Sequence, residues 1–184
     1  IDTLKTNIEN LKKQEFWHEE KLNKKKYLVL TLHRPSNTND LQKYIATLKS
    51  IENNSFDTQI VYPTHPRLDL KLNKFGLTKI IIVKPQPYFE FNYLVKNSIG
   101  VITDSGGITE ETTFFNIPCL TLRNSTERPE TISIGTNVLS NVDNINFRNL
   151  MKKMIDRKWK KGKIPEKWDG LSGERIVRVI EDLF

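Results

Sequence analysis

The sequence predicts an α/β fold, a Rossmann-like doubly wound parallel sheet, and three observations carry that prediction. Short continuous apolar runs, rather than alternating ones, recur along the chain: YLVLTL, TQIVYP, KIIIV, SIGVIT and IPCLTL. Such strands are buried on both faces, as in a parallel sheet covered by helices. Segments with apolar residues at helical spacing separate them, so the pattern is strand, loop, helix, repeated. Finally, polar and glycine-rich residues gather where the strands end, the edge at which open parallel sheets bind ligands.

Taken in order, Ile1, Leu4, Ile8 and Leu11 recur at helical spacing and predict an opening amphipathic helix. The first strand runs from Tyr27 to Leu32 and is followed by the loop HRPSNTND, with Asn39 or Asp40 as a helix cap. LQKYIATLKSIEN places Leu41, Ile45, Leu48 and Ile51 on one face of a helix. A second strand covers Thr58 to Pro63. A short helix through Leu68, Leu72 and Phe75 then stops at Gly76, a common C-terminal signal. Lys79 to Val83 is a third strand, PQPYFEFNYLVKNS a loop and helix, and SIGVIT a fourth strand. Ile108 to Phe115 is a helix, Ile117 to Leu122 a fifth strand and Asn137 to Ser140 a sixth. Helices over Asn144 to Ile155 and Leu171 to Phe184 complete the pattern.

The 184 residues read as one domain, with no internal repeat, low-complexity tract or internal linker. No apolar run approaches the roughly 20 residues of a membrane span, and no signal peptide opens the chain. The single cysteine, Cys119, lies in an apolar run and reads as a small buried hydrophobe; nothing argues for an oxidising compartment, so a cytoplasmic protein is expected. Three histidines without cysteine or carboxylate partners at ligand spacing point away from a metal. The net charge of +7 is concentrated between Lys152 and Lys167. Such a stretch suits nucleic acid or phosphate, but it has only Trp159 and Trp168 as stacking aromatics and no nucleic-acid motif; a solvated surface is the expected reading.

The strand ends carry His33, Arg34 and Asn37; Thr64, His65 and Arg67; Pro85 to Tyr88; Asp104 to Gly107; and Arg123 with the run TERPE. In VITDSGGITEET, Gly106 and Gly107 give a tight turn with bare N–H groups, and a helix begins at once. The positive end of its dipole, with the Ser105 hydroxyl, makes an anion site, most naturally for phosphate. An ordinary strand-to-helix turn with Ser105 as N-cap accounts for the same residues. Glu110 and Glu111 point about 100° apart on a helix and cannot act as a catalytic pair on one bond. Glu111, four residues past Gly107, shares its face and suits the vicinal hydroxyls of a ribose, the role an acidic residue plays in dinucleotide sites; Glu110 suits the helix dipole. Together these residues suggest a nucleoside diphosphate.

DSGGITEE followed by IPCLTLRNSTERPETISIGTN resembles the non-hydrolysing UDP-N-acetylglucosamine 2-epimerase family, and LVLTLHRPSN and IVYPTHP resemble its upstream T-x-H-R-x-E-N and Y-P-x-H segments. The resemblance covers essentially the whole chain. It implies that residues 1–184 are the UDP-binding C-terminal half of a glycosyltransferase-B-type two-domain fold, in an enzyme that is commonly a homodimer. The activity implied is conversion of UDP-GlcNAc to UDP-ManNAc for polysaccharide biosynthesis, by elimination of UDP to a glycal and re-addition. No cofactor is implied. The N-terminal half would supply most of the acids that move the C2 proton, so this half alone is expected to be inactive. By position, Ser105, Gly106, Gly107 and Arg123 would hold phosphate, Glu111 the ribose and the backbone near Tyr88 the uracil. His33 would serve proton transfer or the departing UDP, and Arg34 and His65 would belong to a second, activating nucleotide-sugar site. Arg128 and Glu130 would pair in the cleft wall. Two residues depart from the family pattern: Ser36 replaces a glutamate, which removes any contact needing a carboxylate there, and Thr109 replaces a glutamine and is expected to face away from UDP. The alternatives are a hydrolysing epimerase or a UDP-sugar glycosyltransferase of the same fold and, from another class, a nucleic-acid-binding domain.

Overall fold

The computed structural model describes residues 1–12, 17, 22–64 and 75–183. Six parallel strands form one sheet: β1 (Tyr27–Thr31), β2 (Gln59–Pro63), β3 (Ile80–Val83), β4 (Gly100–Thr103), β5 (Cys119–Thr121) and β6 (Asn137–Leu139), in the order β3-β2-β1-β4-β5-β6. This is the doubly wound order, and it reverses direction between β1 and β4. The two central strands are in register from Leu28 opposite Gly100 to Thr31 opposite Thr103. The Thr31 and Thr103 hydroxyls meet at 2.7 Å where both strands end.

Continuous apolar strands make sense because both faces are covered. On β1, Leu28 and Leu30 enter one core with Tyr44, Leu48 and Ile51 of helix α3 (Leu41–Asn53) and Phe147, Met151 and Met154 of helix α7 (Phe147–Ile155). Tyr27 and Val29 enter the opposite core with Leu94 and Val95 of helix α4 (Tyr88–Asn97) and Ile117. Asp40 caps α3 by accepting from the Lys43 N–H at 3.1 Å.

Several local expectations are corrected. The opening helix is shorter than its apolar spacing suggests: α1 covers Asp2–Thr6 and passes into a 3₁₀ turn at Ile8–Asn10. The loop after β1 contains a short helix, α2 (Pro35–Thr38), started by Pro35, whose fixed φ suits a first helical position. Helix α5 (Gly106–Phe114) begins two residues earlier than predicted, so both glycines lie inside its first turn. TERPE leads into a further short helix, α6 (Pro129–Ser133), again begun by a proline. The predicted helix through Leu68 and Leu72 falls outside the described residues.

The last helix, α8 (Ser172–Glu181), does not pack its apolar face locally: Ile176, Val177, Val179 and Ile180 are all at least half exposed. It is fastened at its start instead. The Asp2 carboxylate accepts from the N–H groups of Ser172 and Gly173, at 2.8 and 3.3 Å, tying α1 to α8. The basic segment is partly consumed in docking itself: Lys152 pairs with Asp156 at 2.9 Å, Arg157 donates to the Lys25 carbonyl and Lys160 to that of Ile132. Trp159 is half-buried and donates its indole N–H to the Thr136 carbonyl at 2.6 Å, so it is a packing residue rather than a stacking platform. No described helix is long and apolar enough to cross a membrane.

Candidate functional site

The segments after β1 and β4 flank the point where the strand order reverses, which is where a parallel sheet of this type leaves a crevice. A cleft of about 390 Å³ opens there, lined by His33, Thr64, Tyr88, Ser105, Gly107 and Glu111 among others. His33, Tyr88, Ser105, Gly107 and Glu111, the residues that the resemblance assigns to nucleotide or sugar, thus share one space. Gly106 adjoins it at the start of α5. Arg34 and Arg123 line a second cavity of about 410 Å³, together with Ser36, Lys43 and Asp143. His65 lies outside the described residues.

The glycines act differently from the sequence expectation. Neither Gly106 nor Gly107 has a positive φ, so no left-handed turn demands them. A Cβ built on Gly107 would meet nothing within 4 Å. What glycine provides here is a bare helix start, with free N–H groups and no side chain between them and the cleft. Ser105 occupies the N-cap position but makes no side-chain cap bond, and its own N–H donates to the Thr103 hydroxyl at 3.0 Å.

One helical turn on, Glu111 is half-buried, and desolvation holds its carboxyl above the usual carboxylate range despite hydrogen bonding with Asn92 and Tyr88. The Asn92 amide donates to it at 3.4 Å. In turn, burial and the Glu111 charge push the Tyr88 hydroxyl up to about 12. Thr109 is fully buried and donates to the Gly106 carbonyl at 2.6 Å, so it does face away from the cleft.

Arg123 reaches toward the same helix start from the opposite side, with Nη1 3.8 Å from a Cβ built on Gly106. It is gripped bidentately by Glu127, at 2.8 and 2.6 Å. The guanidinium holds the Glu127 carboxyl down to about 2. The expected Arg128–Glu130 pair is not formed: Arg128 pairs with Glu110 on α5, because the chain turns into α6 at Pro129 and leaves the guanidinium over α5. TERPE therefore contributes two struts, one to Arg123 and one to the helix that opens on the cleft.

Sequence reasoning placed Asp104 among the strand-end residues but gave no role to it, although it organises this edge. Asp104 is completely buried at the end of β4. Its carboxylate accepts from the His33 N–H at 3.1 Å, the Arg34 N–H at 2.9 Å, the Asn37 side-chain amide at 3.0 Å and His33 Nδ1 at 2.9 Å. The conspicuous residues of HRPSN thus converge on one acid about 70 positions away, as the strand pairing dictates.

The model of the family described as UDP-N-acetylglucosamine 2-epimerase matches residues 1–181. The chain belongs to this family. It is 41% identical over 166 residues to the UDP-N-acetylglucosamine 2-epimerase of Methanococcus maripaludis, covering 84% of this chain and 44% of that one. The Campylobacter jejuni protein of the same name is 33% identical over 165 residues, covering 85% of this chain and 43% of its own. The chain therefore spans less than half the length of these curated relatives. Among solved structures, Methanocaldococcus jannaschii UDP-GlcNAc 2-epimerase in complex with UDP-GlcNAc and UDP superposes with a TM-score of 0.76 at 33% identity, over 98% of this chain and 52% of that one. The S. aureus MnaA–UDP structure gives 0.77 at 28% identity, over 98% and 52%. The epimerase fold thus recurs here as a doubly wound parallel sheet matching half of a glycosyltransferase-B-type enzyme.

Proposed function

We propose that this chain is the UDP-binding, C-terminal half of a UDP-GlcNAc 2-epimerase that interconverts UDP-GlcNAc and UDP-ManNAc. The observation that carries the reading is the convergence of the bare α5 start, Glu111, Tyr88 and His33 on one cleft at the reversal of strand order. In this reading the diphosphate lies on the Ser105 hydroxyl and the N–H groups of Gly106 and Gly107. Glu111 accepts from the ribose hydroxyls, and the segment from Pro85 to Tyr88 borders the uracil. Loss of UDP places charge on the leaving diphosphate, and a helix start with a nearby guanidinium is preorganised to receive it. Arg123 reaches that charge by sharing its donors between Glu127 and phosphate. His33 faces the sugar side, for proton transfer or support of the departing UDP.

Arg34 with His65 is assigned to a second, activating nucleotide sugar, with Ser36 removing a carboxylate from that region. The full enzyme is expected to be a cytoplasmic homodimer. Glu111 is committed to ribose, and the acids that move the C2 proton come from the other half. These 184 residues alone should therefore bind UDP weakly and turn nothing over.

Calorimetric titration tests the reading. UDP should bind, uridine should bind far more weakly, and Glu111→Ala should cost about 2 kcal/mol, roughly thirtyfold, for hydrogen bonds to a charged group. Because the Glu111 carboxyl titrates above its usual range, UDP affinity should begin to fall at a pH above 4.5 on acidification. Equal affinity for uridine and UDP would refute the diphosphate assignment. Measurable epimerisation by the isolated chain would refute its dependence on a second half.

A further inference from the structure

We propose that Asp104 is the positioning residue of this cleft: its carboxylate fixes His33 as the Nδ1–H tautomer, so that the ring turns Nε2 toward the nucleotide-sugar space. The inference rests on the reading of the cleft given above, but its geometry stands independently.

Asp104 itself lines neither cavity and is fully buried. An ionised carboxylate only accepts hydrogen bonds. Three of its partners are N–H groups that can only donate: the backbone N–H groups of His33 and Arg34 and the Asn37 amide. The fourth, His33 Nδ1, lies 2.9 Å from Oδ1. A lone pair on Nδ1 at that distance would face a buried oxygen with no proton to offer, so the Nδ1 position carries the hydrogen. The side chain is 41% accessible and lines the cleft, and the imidazole geometry directs its other nitrogen away from the buried carboxylate. In the neutral ring Nε2 is a proton acceptor, and in the protonated ring it is a donor.

Rigid structure holds this arrangement. Asp104 directly follows Thr103 of β4, and its N–H donates to the Thr31 carbonyl of β1 at 3.3 Å. The same acid also pins the α2 turn through Arg34 and Asn37. The wall carrying His33 is thus fixed before any ligand arrives, and no reorganisation is required of the ring during reaction.

The test is nitrogen NMR of the 15N-labelled 184-residue chain, above the pH at which its imidazoles are protonated. His33 is assigned by loss of its signals in His33→Gln. The expected result is a protonated, pyrrole-type Nδ1 and a pyridine-type Nε2, with the Hδ1 proton protected from solvent exchange and showing cross-peaks to the Arg34 amide proton. Asp104→Asn should reverse the tautomer. Its single oxygen is claimed by the three fixed donors, which leaves its NH₂ facing Nδ1. Asn37→Ala, which removes a different partner of Asp104, should leave the tautomer as it is.

A wild-type ring protonated at Nε2 would overturn the proposal without recourse to any variant. So would a folded Asp104→Asn protein with an unchanged tautomer. UDP titration of the same samples reports separately on the nucleotide reading: an Nδ1–H ring in a chain that binds no UDP would sink that reading and leave the positioning of His33 by Asp104 in place.

Discussion

Replacing Gly135 with alanine should be among the more damaging single-methyl additions in the protein. A Cβ there would lie 2.4 Å from Thr113 Oγ1, 2.6 Å from Thr113 Cγ2 and 2.7 Å from the Thr131 carbonyl oxygen. All three contacts are shorter than real Cβ atoms tolerate, and none is the end of a flexible chain. Thr113 is β-branched, buried and seated in α5, so its χ1 has little freedom. Thr131 is also buried, and its carbonyl belongs to α6. Relief requires the Gly135 backbone to move away from both α5 and the Thr131 carbonyl of α6. Overpacking of this kind costs about 1–3 kcal/mol, and a clash that includes backbone belongs at the upper end, about 3 kcal/mol. For a chain of this size that lowers Tm by roughly 6–12 °C. Circular dichroism melts with urea titrations would measure it.

The same geometry supplies a cycle. Thr113→Ala removes two of the three clashing atoms, and the hydroxyl it deletes has no hydrogen-bond partner among the described residues. In the alanine-135 background it should therefore restore about 1–2 kcal/mol, leaving the Thr131 contact uncorrected. A Gly135→Ala protein within about 0.5 kcal/mol of wild type, or one indifferent to Thr113, would refute the argument.

Three further outcomes are expected. The Glu127 carboxyl sits near 2 in the folded chain, below its ordinary 4.5, so its contribution is complete above 4.5 and disappears as pH falls through 2. The difference in urea midpoint between wild type and Glu127→Gln should close over that window, and a gap undiminished at pH 2 would contradict it. Burial, with Arg157 nearby, brings the Lys25 ammonium down to about 8 from 10.5, so the folded state is penalised below pH 8 and relieved as pH rises toward 10.5. Wild type should accordingly gain stability relative to Lys25→Met between those values; a flat difference would argue against the burial. Asp40→Ala should cost about 1 kcal/mol in thermal melts through loss of the α3 cap, and Asp40→Ser should recover most of it.

The fold was legible because its strands are unusually explicit. IIIV and GVIT cannot alternate between core and solvent, which left a sheet covered on both faces as the economical arrangement. The helix start at Gly106 was legible in kind but not in position, since glycine reads as turn chemistry and only the observed backbone shows it inside a helix. The partner of Arg128 could not be read: Glu110 and Glu130 lie 18 positions before it and two after, and proximity in sequence favoured the wrong one. Asp104 shows the limit most clearly. An aspartate after an apolar run looks like any strand end. Its role depends on β1 lying next to β4, a pairing between segments about 70 residues apart. Once that pairing is granted, HRPSN and DSGG become one hydrogen-bonded unit, and the acid could have been picked out.

Cys119 gives the fold a built-in clock. It is the only thiol in the chain, fully covered in β5, and burial pushes it up to about 11. While the sulfur stays covered, only about one molecule in a thousand carries the reactive thiolate at pH 8. Attack by a thiol reagent must then wait for the sheet to part, so the modification rate reads the free energy of opening between β4 and β6. The sulfur lies one strand away from Asp104 and the start of α5, and a ligand that stiffens that edge would register as slower labelling of an atom it never touches.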